Sequence, residues 1–159
     1  MFESERAAGK DGRNMSEEEN IKNLIKEAFA AREFAYTPYS HFKVGAALLD
    51  QRGKIYSGCN VENAAYGPSN CAERTAIFKA VSEGSQKFSM IAIVGALEGK
   101  SITEYTAPCG VCRQVMSEFC NPKEFKIIMA KSQEDYKIKT LEELLPFSFG
   151  AADIIPNTL

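Results

Sequence analysis

Apolar side chains recur every three or four residues in three segments of the chain, which is the period of an amphipathic helix. The first of these segments follows Ser16 and Glu19, whose spacing is that of a capping box at a helix start. The second segment ends at a glycine, and has Ser69 or Asn70 available as its N-terminal cap. The predicted helices begin after Ser16, at Cys71 and at Gly110, and they end before Thr37, at Gly84 and at Phe119.

Short apolar runs bounded by turn residues separate these helices and indicate strands. The runs 42–49 and 54–58 flank the turn residues 50–53, which predicts a β-hairpin. The run 90–97 is almost continuously apolar, as is typical of a strand that is covered on both faces. Two further strands are predicted at 125–130 and 136–138, followed by a last short helix at 141–145 that Pro146 ends.

Strands that alternate with helices indicate the α/β class, and we expect a three-layer α/β/α arrangement around a mixed sheet of about five strands. Residues 16–159 are predicted to form a single domain, because a chain of 159 residues can bury one core but hardly two. Residues 1–15 are polar and have no apolar period, which predicts a mobile N-terminal tail.

Composition excludes several classes of partner. With 19 basic and 21 acidic residues the net charge is −2, which gives no bulk attraction for a nucleic acid. No apolar run approaches the roughly 20 residues of a membrane span, and none resembles a secretory signal, so we expect a cytoplasmic protein without a membrane partner. Five cysteines, an odd number in a reducing compartment, favour metal binding or catalysis over a disulfide framework.

Three of these cysteines have the spacing of a metal site. Cys109 and Cys112 form a C-x-x-C motif whose two thiols can bind one metal ion from a single turn. Cys71 supplies a third thiol from the start of another helix. Three protein ligands leave the fourth tetrahedral position open, as in a catalytic zinc site. Glu73 stands two residues after Cys71, and the whole set matches the all-cysteine form of the zinc deaminase signature. One zinc ion per chain is therefore the predicted cofactor.

Glu73 is the predicted catalytic residue, which takes a proton from the attacking water and delivers it to the substrate. Zinc with three thiolates carries a net charge of −1, so a nearby cation or hydrogen-bond donor is needed to offset the excess negative charge. Arg74 and Gln114 are the candidates for donating hydrogen bonds to the sulfurs, and Arg74 would keep the pKa of the water near about 7.

These motifs give the chain a resemblance to the small zinc-dependent cytidine deaminases of pyrimidine salvage, over residues 35–150. The resemblance implies hydrolysis of cytidine and deoxycytidine, at C4, to uridine and deoxyuridine plus ammonia. The matching segments are 39–48 (YSHFKVGAAL), 58–64 (GCNVENA), 71–76 (CAERTA), 108–112 (PCGVC) and 142–146 (EELLP).

The resemblance also implies the substrate contacts. Asn60 and Glu62 correspond to residues that bind the ribose hydroxyls, and Phe42 to an aromatic residue that packs against the base. The backbone around Ala72 and Ala107 would contact the edge of the pyrimidine.

The small members of this family form homotetramers in which neighbouring subunits complete each pocket, so the resemblance implies a homotetramer here as well. Tyr66 and Phe149 match the positions that reach into a neighbouring subunit.

Three other functions remain open at this point. A related deaminase could act on a modified cytosine nucleoside, although the N-x-E segment at 60–62 favours an ordinary ribose. A polynucleotide-editing deaminase would need a basic channel with stacking aromatic residues, which the acidic balance disfavours. A non-catalytic module stabilised by zinc would need a fourth protein ligand.

Cys59 and Cys120 are expected to be packed small side chains, and His41 is expected to be a solvated loop residue.

Overall fold

The structure, a computed structural model, describes residues 15–155. Except for Met15, the predicted tail at 1–15 lies outside the described residues. In chain order the elements are α1 (Glu17–Arg32), β1 (Phe42–Asp50), β2 (Ile55–Cys59), α2 (Ala72–Ser82), β3 (Phe88–Leu97), α3 (Gly110–Phe119), β4 (Lys126–Ala130), β5 (Tyr136–Thr140), α4 (Leu141–Leu144) and α5 (Ala151–Ile154).

The five strands form one sheet in the order β2-β1-β3-β4-β5. β3 and β4 run parallel, and α3 lies in the crossover that a parallel pair requires. The other neighbouring pairs are antiparallel, including the predicted hairpin of β1 and β2. The prediction of a mixed sheet of about five strands is therefore confirmed.

Helices cover both faces of the sheet, which confirms the three layers. On one face, α1 buries Leu24, Ile25 and Ala28 against apolar side chains of β1, β3 and β4. On the other face, α2 and α3 pack Ile77 and Met116 into a second cluster with alternate residues of the same strands. Residues alternate between the two clusters along β3, as the pleat of a strand dictates.

Two glycines let the helices approach the sheet closely. A Cβ on Gly45 would lie 1.9 Å from the carbonyl oxygen of Ala28, so α1 could not pack on β1 if this residue had a side chain. A Cβ on Gly58 would lie 2.6 Å from the carbonyl oxygen of Ala72 in the first turn of α2. Gly58 therefore fixes how the N-terminus of α2 rests on β2.

The start of α2 differs from the prediction. Neither Ser69 nor Asn70 caps this helix; the N-cap is Cys71, whose side chain makes no capping hydrogen bond. The hydroxyl of Ser69 accepts a bond from the backbone N–H of Asn63, and the amide of Asn70 donates to the hydroxyl of Thr75. Both side chains are thus used within the loop and the first turn, and the Cys71 sulfur is free to act as a ligand.

The C-terminal part contains one helix that the sequence did not indicate, α5. It has four residues, which is too few for an apolar period, and it starts where the carboxylate of Asp153 accepts a hydrogen bond from the backbone N–H of Gly150. Within 15–155, no helix is both long and apolar enough to cross a membrane.

Candidate active site

The N-termini of α2 and α3 bring the three predicted cysteine ligands together. Cys71 is the N-cap of α2, Cys109 is the N-cap of α3, and Cys112 lies in the first turn of α3. The Sγ atoms of Cys71 and Cys109 are 3.8 Å apart, and those of Cys109 and Cys112 are 3.5 Å apart. Positive ends of two helix dipoles favour thiolates at this place.

The cluster has the dimensions of a zinc site. Tetrahedral zinc with sulfur ligands at about 2.3 Å sets those sulfurs about 3.8 Å apart, and all three sulfurs lie within 4.8 Å of one another. Within the described part of the chain, this is the one group of three or more histidine, cysteine or acidic side chains that could hold a metal ion. Three soft donors at these separations fit zinc.

The cysteines differ in their affinity for a proton. The hydrogen bond with Cys112 lowers the pKa of Cys71 to about 5, against the effect of burial and with help from Arg74 and Cys109. The same hydrogen bond raises the pKa of Cys112 well above its usual range, and burial and the charge of Glu73 raise it further. Cys71 is thus the first of the pair to become a thiolate.

Glu73 lies in the first turn of α2 and is only 4% exposed. Its Oε2 is 3.8 Å from the Cys112 Sγ, so the carboxyl group stands beside the sulfur cluster. Burial raises the pKa of Glu73 from 4.5 to about 7, and the negative charge of Cys71 adds to this effect. A carboxyl group with such a pKa can both accept and return a proton near neutral pH.

Arg74 makes the expected contact with a ligand sulfur. Its Nη2 donates to the Cys71 Sγ at 3.3 Å, and although burial opposes it, hydrogen bonds to Cys71 and Cys112 raise the pKa of this arginine further. Its Nε is buried and has no hydrogen-bond partner. The guanidinium is therefore a permanent positive charge next to the thiolates.

Gln114 does not make the expected contact. Its side-chain amide donates to the backbone carbonyl of Phe149 at 2.8 Å and not to a cysteine sulfur. Two residues along a helix correspond to a rotation of about 200° about its axis. Gln114 and Cys112 therefore lie on nearly opposite faces of α3. The amide instead holds the C-terminal segment near the start of α3.

The cluster opens into a cavity of about 340 Å³. This cavity brings together every predicted contact to the base and the ribose with two of the three cysteines and the carboxyl group of Glu73. Its lining residues are Ser40, Phe42, Val44, Asn60, Glu62, Cys71, Ala72, Glu73, Thr106, Ala107 and Cys109. The carboxyl group of Glu73 and the N-x-E segment thus border one space.

Hydrogen bonds fix the two polar side chains of the N-x-E segment. Asn60 accepts from the backbone N–H of Val44 at 2.9 Å and donates to the carbonyl of Phe42 at 2.8 Å. Glu62 accepts hydrogen bonds from the backbone and the hydroxyl of the turn just before β1. Both residues are held against the start of β1, where the ring of Phe42 forms one wall of the cavity.

Tyr66 and Phe149 lie outside this cavity in the single chain. They are 78% and 61% exposed, and the ring of Tyr66 packs edge-on against Tyr39 at 6.5 Å. Ser40 and Thr106 line the cavity but were not predicted. Their neighbours Phe42 and Ala107 were predicted, and proximity in sequence is the signal that could have found them.

The fold and the site define a class of protein, an α/β enzyme that has three thiols placed to hold a zinc ion and a buried carboxyl group beside them. Residues 18–129 match the family model "Cytidine and deoxycytidylate deaminase zinc-binding region". The chain is 47% identical over 135 residues to a cytidine deaminase of Sporosarcina psychrophila, covering 85% of this chain and 95% of that protein. It is 50% identical over 131 residues to a cytidine deaminase of Halalkalibacterium halodurans, covering 82% and 95%.

Solved structures agree with these relatives. A crystal structure of cytidine deaminase from Burkholderia pseudomallei superposes with a TM-score of 0.71 at 49% identity, covering 80% of this chain and 97% of that one. Cytidine deaminase from Mycobacterium tuberculosis superposes with a TM-score of 0.68 at 37% identity, covering 80% and 95%. The chain belongs to the cytidine and deoxycytidylate deaminase family of zinc-binding enzymes.

Proposed function

We propose that this enzyme hydrolyses cytidine and deoxycytidine to uridine and deoxyuridine, with release of ammonia. The observation that carries this proposal is one cavity whose lining combines Glu73 and two of the cysteines with Asn60 and Glu62. The names of the relatives support the same substrate.

Cys71, Cys109 and Cys112 would hold the zinc ion. When bound, zinc polarises the attacking water and lowers its pKa. Glu73 accepts the proton that this water loses and passes it to the ring nitrogen next to C4, while the water oxygen forms a bond to C4. Glu73 then takes the second proton from the oxygen now bound to C4 and passes it to the amino group, and the C4–N bond breaks as C4=O forms and ammonia leaves.

Burial of Glu73 serves both halves of this cycle. With a pKa of about 7, the carboxyl group has little preference between its two protonation states near neutral pH. Arg74 offsets part of the negative charge of the three thiolates, which would otherwise oppose the loss of a proton from the water.

The remaining lining residues would recognise the nucleoside. The ring of Phe42 offers a face for the base, and the backbone at Ala72 and Ala107 borders the space where the pyrimidine edge would lie. Asn60 and Glu62 offer donor and acceptor groups suited to sugar hydroxyls.

The proposal extends to a homotetramer of pyrimidine salvage in the cytoplasm. The exposed aromatic rings of Tyr66 and Phe149 support contacts with neighbouring subunits, because such side chains are enriched at interfaces. Light scattering of the purified chain should give four times the mass of 17.5 kDa. A monomer would contradict this part of the proposal and leave the reaction itself untouched.

An absorbance assay with cytidine, deoxycytidine and free cytosine, run beside a zinc measurement, tests the proposed reaction. Both nucleosides should lose the absorbance of the aminopyrimidine and release one equivalent of ammonia, and the free base should not. A zinc-loaded enzyme that leaves both nucleosides intact would contradict the proposed substrate.

A further inference from the structure

The carboxylate of Glu62 is held almost entirely by the turn that precedes β1. Its Oε1 accepts hydrogen bonds from the backbone N–H groups of Tyr39 and Ser40, each at 3.1 Å. Its Oε2 accepts a hydrogen bond from the hydroxyl of Ser40 at 2.5 Å. The hydroxyl bond and the backbone bonds lower the pKa of Glu62, so that it is an ionised acceptor at neutral pH.

Counting acceptor sites shows how little of this carboxylate is free. An ionised carboxylate has about four acceptor sites, two on each oxygen. The two backbone bonds fill Oε1, and the Ser40 hydroxyl fills one site of Oε2. One site remains, and it is on the oxygen that Ser40 holds. Glu62 can therefore take a single additional hydrogen bond.

Protein groups also occupy part of the hydrogen-bonding capacity of the Asn60 side chain. Its Oδ1 accepts from Val44 and its Nδ2 donates to Phe42. One acceptor site and one N–H remain, because an amide side chain offers two of each. The two side chains of the N-x-E segment are thus held in place by the protein, and each keeps only one or two hydrogen-bonding sites for a sugar.

Ser40 connects two walls of the cavity. Besides donating to Glu62, its hydroxyl accepts a hydrogen bond from the backbone N–H of Phe42 at 3.0 Å. All three residues line the cavity. One hydroxyl group therefore links the carboxylate on the sugar side to the strand end that carries the aromatic wall.

From these contacts we infer that Ser40 is a positioning residue for sugar recognition, whose hydroxyl fixes Oε2 of Glu62 so that its one free acceptor site meets a sugar hydroxyl. This inference rests on the proposed function, which assigns the sugar to Glu62. Since Ser40 acts through Glu62, its removal should weaken the binding of nucleosides that carry the sugar hydroxyls and spare those that lack them.

The test compares cytidine with 2′,3′-dideoxycytidine as substrates of the zinc-loaded full chain. Ser40→Ala should raise the KM for cytidine about 5- to 20-fold with kcat changed less than about twofold, because a charge-assisted hydrogen bond is lost away from the reacting atoms. The KM for the dideoxynucleoside should change less than about twofold. Ser40→Thr, which keeps the hydroxyl, should restore most of the cytidine affinity.

Two further variants control for other causes. Ser132→Ala removes a serine that accepts backbone hydrogen bonds in a remote turn, and should leave both KM values unchanged. In a Glu62→Gln background, Ser40→Ala should have little further effect on the KM for cytidine. If Ser40→Ala lowers the thermal midpoint strongly, Ser40→Cys takes its place, because it fills the same space with a weak donor.

An unchanged KM for cytidine, an equal loss for both nucleosides, or full additivity with Glu62→Gln would each overturn the role of Ser40. Failure of the unsubstituted enzyme to deaminate cytidine at all is a different result, which would overturn the proposed function and this inference with it.

Discussion

The two sides of the cavity are built in different ways. On the zinc side, Glu73 and Cys112 lie in the first turns of α2 and α3, Cys71 is the N-cap of α2, and Glu73 and Cys112 are fully or almost fully buried. Both helices also bury side chains in the core, among them Ile77 and Met116. On the sugar side, Glu62 comes from a loop and Ser40 from a turn, and hydrogen bonds hold them in place. In the proposed assignment, the helix starts carry the chemistry, and the hydrogen-bonded loops carry the recognition of the sugar.

This difference has an energetic meaning. Burial in a packed layer shifts the pKa of Glu73 upward, which general acid–base catalysis needs. Hydrogen bonding in an open turn shifts the pKa of Glu62 downward, which suits an acceptor that must not give up its charge. Substitutions on the zinc side should therefore change kcat, and substitutions on the sugar side should change KM.

The largest effect is expected for Glu73→Gln. Turnover of cytidine should fall by at least about 10³-fold, because the amide cannot carry the proton. Zinc content should stay near one per chain, since Glu73 is not a ligand. Glu83→Gln, at the exposed end of the same helix, is the matched control and should leave turnover unchanged. Near-normal turnover of Glu73→Gln would contradict its assignment.

Arg74→Ala should have the next largest effect. Loss of the hydrogen bond to Cys71 should weaken zinc binding about 10- to 100-fold. In enzyme still loaded with zinc, the acidic limb of the pH–rate profile should move to higher pH, because a removed positive charge raises the pKa of the water. Arg74→Lys should recover part of both losses. An unmoved acidic limb with zinc retained would show that this charge does not tune the water.

Asn60→Ala tests the sugar side. The KM for cytidine should rise about tenfold, and the free energy of unfolding should fall by about 1–3 kcal/mol, because the N–H of Val44 and the carbonyl of Phe42 lose their partner. Asn63→Ala in the same loop is the control, since Asn63 bonds only Ala65 through its side chain and does not line the cavity. A large fall in kcat with unchanged KM would break the division between the two sides.

The smallest effect on turnover is expected for Asp50→Asn, at the end of β1 away from the cavity. Asp50 is 1% exposed and accepts bonds from the backbone of Lys54 and the hydroxyl of Ser85. Burial alone would raise its pKa, but these bonds hold the pKa below the usual 3.8. Asp50→Asn should lower the free energy of unfolding by about 2–3 kcal/mol and leave KM and kcat unchanged.

The sign of the pH dependence follows from that lowered pKa. The ionised form of Asp50 stabilises the fold above the ordinary pKa, and this contribution disappears as pH falls from about 4 through the lower pKa of the folded state. Denaturant titrations at a series of acidic pH values should therefore show a smaller loss of stability in Asp50→Asn than in the unsubstituted chain. Parallel curves would contradict the role of this carboxylate.

The apolar periodicity of the sequence was sufficient to predict the helices that carry the zinc side. The capping box at Ser16 and the predicted helix 110–119 agree with the structure at their starts. Spacing also predicted that Cys109 and Cys112 lie close together, because they are three residues apart at a helix start. Cys71 joins them from a different helix, and the match to the deaminase signature, not helix geometry, predicted its place and that of Glu73 beside the cluster.

The sugar side could not be predicted in the same detail. The link from Ser40 to Glu62 joins residues 22 positions apart in sequence, both in irregular backbone, which has no period. Outside the cavity, the bond from Gln114 to the carbonyl of Phe149 joins residues 35 positions apart, for which spacing gives no signal either. The predicted cap of α2 was wrong because hydrogen bonds to Asn63 in the loop and to Thr75 in the first turn already occupy Ser69 and Asn70.

The most direct test of the central claim is a zinc-edge X-ray absorption measurement on the zinc-loaded full chain. The three-thiol site predicts three sulfur ligands at about 2.3 Å and one oxygen or nitrogen ligand at about 2.0–2.2 Å, the open position that catalysis needs. Four sulfur ligands, with Cys59 or Cys120 recruited to the ion, would contradict the account and indicate a structural zinc.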